Sequence, residues 1–138
     1  MIVMFKGKRI LVVEDTDSNF SLVKYSLLAT RVSIVRATNG EEAIRSFMHD
    51  GVFDLILMDI RLPGMNGFEV TRRIREMNKS IPIIAHTALA FELDKEEYLK
   101  AGCNAQITKP TDRQTLLKVI SEFLITSDKG TDRRNNNH

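Results

Sequence analysis

Apolar runs alternate with amphipathic stretches along the chain. RILVVE (9–14), VSIVRA (32–37), DLILMD (54–59), IPIIAHT (81–87) and AQIT (105–108) read as strands, and the central ones are apolar at successive positions. A strand with no polar alternation is covered on both faces, as in a parallel sheet packed between helix layers. Between these runs the spacing predicts helices at about 17–29, 40–49, 66–77, 91–101 and 112–125. Phe20, Val23 and Leu27 recur at helical intervals, as do Leu116, Ile120 and Leu124. Gly40 and Gly51 bracket the second helix, Gly102 follows the fourth, and Asp112 is placed to cap the fifth. Five strand-then-helix units predict a doubly wound α/β sheet of order 2-1-3-4-5. Right-handed crossovers then bring every strand's carboxyl end to one edge, where ligand sites of such sheets form.

Composition narrows the function. With 138 residues the chain suits one domain, burying roughly two-thirds of its unfolded surface. The 20 basic and 18 acidic side chains nearly cancel, which argues against a nucleic-acid or membrane surface. A lone Cys103 has no internal disulfide partner, so a reducing, cytoplasmic setting is expected. The opening MIVMF is too short for a signal-peptide core, and its basic residues follow it. The expected boundaries are an N-terminal extension at 1–7, one domain at 8–125 and a disordered tail at 126–138, where TSDKGTDRRNNNH lacks apolar periodicity.

The chemistry starts where the first strand stops, in ILVVEDTDSN (10–19). A calcium loop beginning at Asp15 would need Gly at its sixth position and Glu at its twelfth; Phe20 and Ser26 stand there. A dinucleotide site would need glycines in this turn, which has none. The Asp15-x-Asp17 pair resembles the nucleophile motif of haloacid-dehalogenase-like phosphatases, with Asp15 attacking and Asp17 as acid. Ser18 and Asn19 replace the Gly-Thr that follows in those enzymes, and a helix cap is the favoured role for Asp17.

A third reading joins the ends of several strands. The first delivers Glu14 and Asp15, the third Asp59, the fourth Thr87 and the fifth Lys109. On one sheet edge they enclose a small volume with carboxylates, a hydroxyl and an ammonium. Two carboxylates about 4 Å apart repel by about 4 kcal/mol at an effective dielectric of about 20. Such a site wants protons or a cation, and hard oxygen ligands that leave room for phosphoryl oxygens suit Mg²⁺. A lysine supplies a point charge for the phosphoryl group. The set fits phosphorylation of an aspartate, and Asp59 is the chosen nucleophile, with Asp15 the better direct metal ligand.

VVED, LILMDIRLPGMNG, HTALA and ITKP together resemble the response-regulator receiver domain, the phosphoacceptor module of two-component signalling, over roughly residues 8–125. The wording is most similar to receivers of hybrid kinases and stand-alone regulators. The resemblance implies a flavodoxin-like fold and phosphorylation of Asp59 by a phosphohistidine of a sensor kinase or phosphotransfer protein. It implies Mg²⁺ held by Asp15, Asp59 and the backbone carbonyl of Arg61, with Glu14 acting largely through water. It also implies Thr87, Ala88 and Lys109 as the switch and phosphate-binding group, and a cis bond before Pro110. Gln106 departs from the family pattern, which often carries Tyr or Phe there, so switching is expected to use other contacts of the fourth helix and fifth strand. The resemblance implies a downstream protein partner, and a domain that promotes only its own phosphorylation and dephosphorylation. No output domain is expected within these residues.

Other residues draw plainer expectations. Strand alternation turns His86 away from the face of Thr87, toward a structural role. His49 and His138 are expected to face solvent, Cys103 and Met58 to pack in the core, and Met65 to fill a loop. The charges of DKEEYLK (94–100) read as a solvated helix face. Leu22 and Tyr25 lie off the first helix's apolar stripe, as contacts for a kinase or phosphotransfer helix or as peripheral packing. Two rival functions stay open at this point: the phosphatase with Asp15 as nucleophile, and an unphosphorylated interaction module that keeps the fold.

Overall fold

Five parallel strands form one sheet in the order β2-β1-β3-β4-β5 in the computed structural model, which describes residues 4–88 and 95–136, the last eleven by backbone alone. The strands are β1 (Arg9–Val13), β2 (Ser33–Ala37), β3 (Leu55–Met58), β4 (Ile83–Thr87) and β5 (Ala105–Thr108). The helices between and after them are α1 (Asp17–Leu27), α2 (Gly40–His49), α3 (Gly67–Met77), α4 (Lys95–Ala101) and α5 (Arg113–Asn136). Leu28–Thr30 adds a 3₁₀ turn after α1.

Alternation along the strands builds two cores from one sheet. Leu11, Val13, Ile56, Met58, Ile83 and Ala85 face one layer, where Ala43 of α2, Val70 and Ile74 of α3 and Tyr98 of α4 close over them. Ile10, Val12, Leu55, Leu57 and Ile84 face the other, against Val23 and Leu27 of α1 and Leu116, Ile120 and Leu124 of α5. Burial on both faces is why the central strands read as continuous apolar runs. Phe5, assigned from sequence to an N-terminal extension, is 3% exposed in the second core, and its N–H donates to Thr30 O at 2.7 Å.

Helix starts follow local chemistry. Asn39 Oδ1 accepts the Glu42 N–H at 2.9 Å, and Glu42 reaches back to the Thr38 N–H at 2.7 Å. Asn66 caps α3 through the Glu69 N–H, and Asp112 caps α5 through the Thr115 N–H at 2.7 Å, as expected. Gly67 opens α3 against the end of β3, where a Cβ would stand 2.3 Å from Asp59 O. Only glycine lets this helix start so close to the strand end.

Two boundaries differ from the sequence reading. Thr16, not Asp17, occupies the N-cap of α1, without a side-chain cap. Asp17 is already helical, and its carboxylate turns outward to Arg36 Nη1 at 2.9 Å; near the positive end of the helix dipole it needs no capping geometry. Helix α5 continues past 125 as helical backbone to Asn136. Residues 126–136 contain no proline to end the helix. The beginning of the fourth predicted helix, 91–94, lies outside the described residues, as does His138.

Candidate phosphoacceptor site

Strand register brings the acidic residues together. The Glu14 N–H donates to Ala37 O at 2.9 Å and the Asp59 N–H to Val13 O at 3.0 Å, so the hydrogen-bond ladder runs past the regular strands to the acidic turns. Glu14, Asp15 and Asp59 each offer a carboxylate oxygen, and these lie within 4.8 Å of one another. Glu14 and Asp59 are buried, whereas Asp15 is exposed. Lys109 arrives from the end of β5, its N–H donating to Thr87 O at 3.1 Å. Its Nζ donates to Asp59 Oδ2 at 3.1 Å and also to Glu14 Oε1. The Lys109–Pro110 bond is cis, as expected.

The remaining lone pairs are held by backbone. Thr16 N–H donates to Glu14 Oε2 at 3.1 Å, and Arg61 N–H to Asp59 Oδ1 at 3.1 Å. A cleft of about 410 Å³ opens above, lined among others by Asp15, Asp59, Arg61, Thr87, Ala88 and Lys109. Thr87 is fully buried and Ala88 exposed. Burial pushes the Glu14 carboxyl up from its ordinary range, against the opposing pull of the Lys109 hydrogen bond. A single ammonium thus shares two buried carboxylates beside a third. That arrangement is short of positive charge and suits a hard cation with oxygen ligands. The donor set fits Mg²⁺: carboxylates converge, and the cleft leaves space for water and phosphoryl oxygens.

Sequence reasoning missed the supports of this site. Arg36, in register with Val12, donates from Nε to the Glu14 carbonyl at 3.1 Å and stacks over Phe20 at 4.7 Å. A cation near the end of a strand that flanks the acidic turn was the available signal. Thr16 and Asn19, in the turn itself, also line the cleft. Gln106 is half-buried on β5, with Oε1 buried and without a hydrogen-bond partner. His86 is buried on the face opposite Thr87, as alternation predicts. Cys103 packs in the core, where burial pushes its thiol up to about 11 and leaves it inert.

A sequence model of the response regulator receiver domain family matches residues 10–121. The chain belongs to that family. It is a receiver domain of two-component signalling, and its sheet order is that of the CheY-like fold. Over 119 residues it is 41% identical to the autoinducer 2 sensor kinase/phosphatase LuxQ of Vibrio vulnificus, covering 86% of this chain and 14% of that protein. It thus spans about one-seventh of the length of that relative. It is 35% identical over 119 residues to the polar-differentiation response regulator DivK of Brucella anthropi, covering 85% of this chain and 96% of that one. Among solved structures, the receiver domain of the Pseudomonas aeruginosa sensor histidine kinase PA1611, with magnesium coordinated in its active-site cleft, aligns with a TM-score of 0.79 and 35% identity over 86% and 98% of the two chains. The Saccharomyces cerevisiae Ssk1 receiver domain, crystallised with the histidine phosphotransfer protein Ypd1, gives 0.81 and 31% over 90% and 93%. Family membership displaces the phosphatase reading.

Proposed function

We propose that Asp59 is the phosphoacceptor of this receiver domain, taking its phosphoryl group from a phosphohistidine of a sensor kinase or a histidine phosphotransfer protein. The observation that carries the reading is Lys109 Nζ 3.1 Å from Asp59 Oδ2, beside three converging carboxylates. Asp59 Oδ attacks phosphorus, the O–P bond forms as the N–P bond breaks, and the electron pair returns to the donor imidazole. Lys109 holds a phosphoryl oxygen in place of its present carboxylate contacts. The Arg61 N–H keeps the Asp59 carboxylate oriented for attack. Asp15, Asp59 and the Arg61 carbonyl would hold Mg²⁺, with Glu14 reaching it largely through water. Bound Mg²⁺ supplies neutralisation of the charge that builds on the transferring group.

Thr87 and Ala88, at the end of β4, respond to the phosphoryl group and shift the population toward a partner-binding state. With Gln106 on β5, the coupling runs through contacts of α4 and β5 rather than an aromatic ring. Leu22 and Tyr25, 61% and 71% exposed on α1, are the contacts for the phosphodonor protein. A downstream protein reads the result. The domain promotes transfer to and hydrolysis from its own aspartate and turns over no separate substrate. The free, buried Cys103 supports action in the reducing cytoplasm. Incubation with acetyl phosphate and Mg²⁺, followed by intact-mass measurement, should add one phosphate. Asp59→Asn should abolish the addition, and persistence in that variant would refute the assignment.

A further inference from the structure

Consecutive residues of β4 grip the loop that carries Lys109, one through its backbone and one through its side chain. In the plane of the sheet the Thr87 carbonyl accepts the Lys109 N–H at 3.1 Å, continuing the β4–β5 ladder. On the face toward α1 and α5, His86 Nε2 lies 3.0 Å from Thr111 Oγ1. The Thr111 hydroxyl has one hydrogen, and it goes to Thr108 O at 2.8 Å. His86 Nε2 must therefore carry the proton and donate to Thr111. Beyond Thr111 the chain is fixed again by the Asp112 cap of α5. The lysine thus leaves a short span whose start, middle and end are all tied down.

The grip lies in surroundings that strengthen it. His86 is 7% exposed and faces a cavity of about 300 Å³ between α1 and the β5–α5 loop, whose wall includes Leu22, Val23, Pro110 and Leu116. Water competes poorly for a hydrogen bond there, and an unpaired imidazole N–H would be costly. Burial, then the Lys109 charge, push the His86 imidazole down to about 4, so the neutral donor form persists through the physiological range.

Resting on the phosphoacceptor reading of Asp59, we infer that His86 is a positioning residue for phosphoryl transfer: it holds Thr111, and through Thr111 the Lys109 ammonium against the Asp59 carboxylate. It touches neither the phosphoryl group nor the carboxylates. Its effect therefore runs through Lys109 and is read in the rate of phosphorylation at saturating Mg²⁺.

The test uses the full chain with acetyl phosphate, saturating Mg²⁺ and intact-mass readout. His86→Leu and Thr111→Val should each slow phosphate uptake about 5- to 10-fold, the worth of one buried hydrogen bond. The double variant should be no slower than either single. His86→Gln, whose amide donates from a similar position, should restore most of the rate. In a Lys109→Ala background, His86→Leu should have no further effect on the rate. Wild-type rates in both single variants would overturn the inference alone. So would a loss that persists without Lys109, because the effect would then run by another route. Should His86→Leu not fold, the half-buried Thr111→Val tests the same contact. Failure of the wild-type chain to take up phosphate would overturn the underlying reading and this inference with it.

Discussion

The two edges of the sheet treat their polar side chains oppositely. At the amino edge, Arg75 Nε donates to Gly102 O at 2.9 Å, Nη1 to Asn78 O at 3.2 Å and Nη2 to Asn104 Oδ1 at 2.8 Å. Asn104 Oδ1 also accepts the Ile83 N–H at 2.8 Å, and Asn78 Oδ1 the Ile81 N–H at 2.9 Å. Arg9 likewise donates to Val52 O at 2.9 Å and stacks on Phe53. These donors find complementary acceptors, mostly uncharged ones, and the edge is closed. At the carboxyl edge two buried carboxylates share one ammonium beside a third carboxylate. The amino edge is built for stability; the carboxyl edge holds uncompensated charge in reserve for a ligand.

Substitutions should separate the two edges cleanly. Asp59→Asn should remove phosphate uptake entirely while leaving the fold intact, as read by intact mass and circular dichroism. Lys109→Ala should slow uptake by about 10²-fold, the usual cost of losing one charged donor to a transferring group. A pH effect comes next in size. The folded-state His86 pKa is near 4, below its unfolded value of about 6.5. The unfolded chain therefore takes up a proton first as pH falls. Stability present above about pH 6.5 should drain away toward pH 4, by on the order of 3 kcal/mol, and His86→Leu should flatten that slope in urea unfolding.

At the other edge, Arg75→Ala should cost about 2 kcal/mol of stability through three lost hydrogen bonds, yet leave the phosphorylation rate per folded molecule unchanged. A matching loss of rate would mean the edges are coupled. The smallest effect is the most diagnostic. Burial raises the Glu14 pKa, so its ionised form at pH 7 opposes folding, and this penalty disappears as pH falls below the unfolded value near 4.5. Glu14→Gln should therefore raise Tm by about 2–4 °C at pH 7 without Mg²⁺, and weaken Mg²⁺ binding. A lower Tm would show that the Lys109 pair outweighs the cost of burial.

Much of this was legible along the chain because it depends on local pattern. Uninterrupted apolar runs are what a doubly covered parallel strand requires, and they led to the sheet order that is observed. Glu14, Asp15, Asp59, Thr87 and Lys109 could be assembled in advance because each ends a strand, and parallel strands with right-handed crossovers share one carboxyl edge. Contacts that depend on where a long side chain turns were not legible. Asp17 looked like a cap and instead faces Arg36. Phe5 looked peripheral and belongs to the core.

The periodicity and the order of motifs determined the architecture, the family and the residues at the strand ends, since backbone hydrogen bonding and alternation leave few other ways to bury those runs. Tertiary structure alone decided how charge is shared among those residues: that Lys109 bridges Glu14 and Asp59, that Arg36 braces the acidic turn, and that His86 reaches Thr111. These contacts join positions 22 to 95 residues apart. Their geometry follows from side-chain rotamers in a packed interior, which no local pattern encodes.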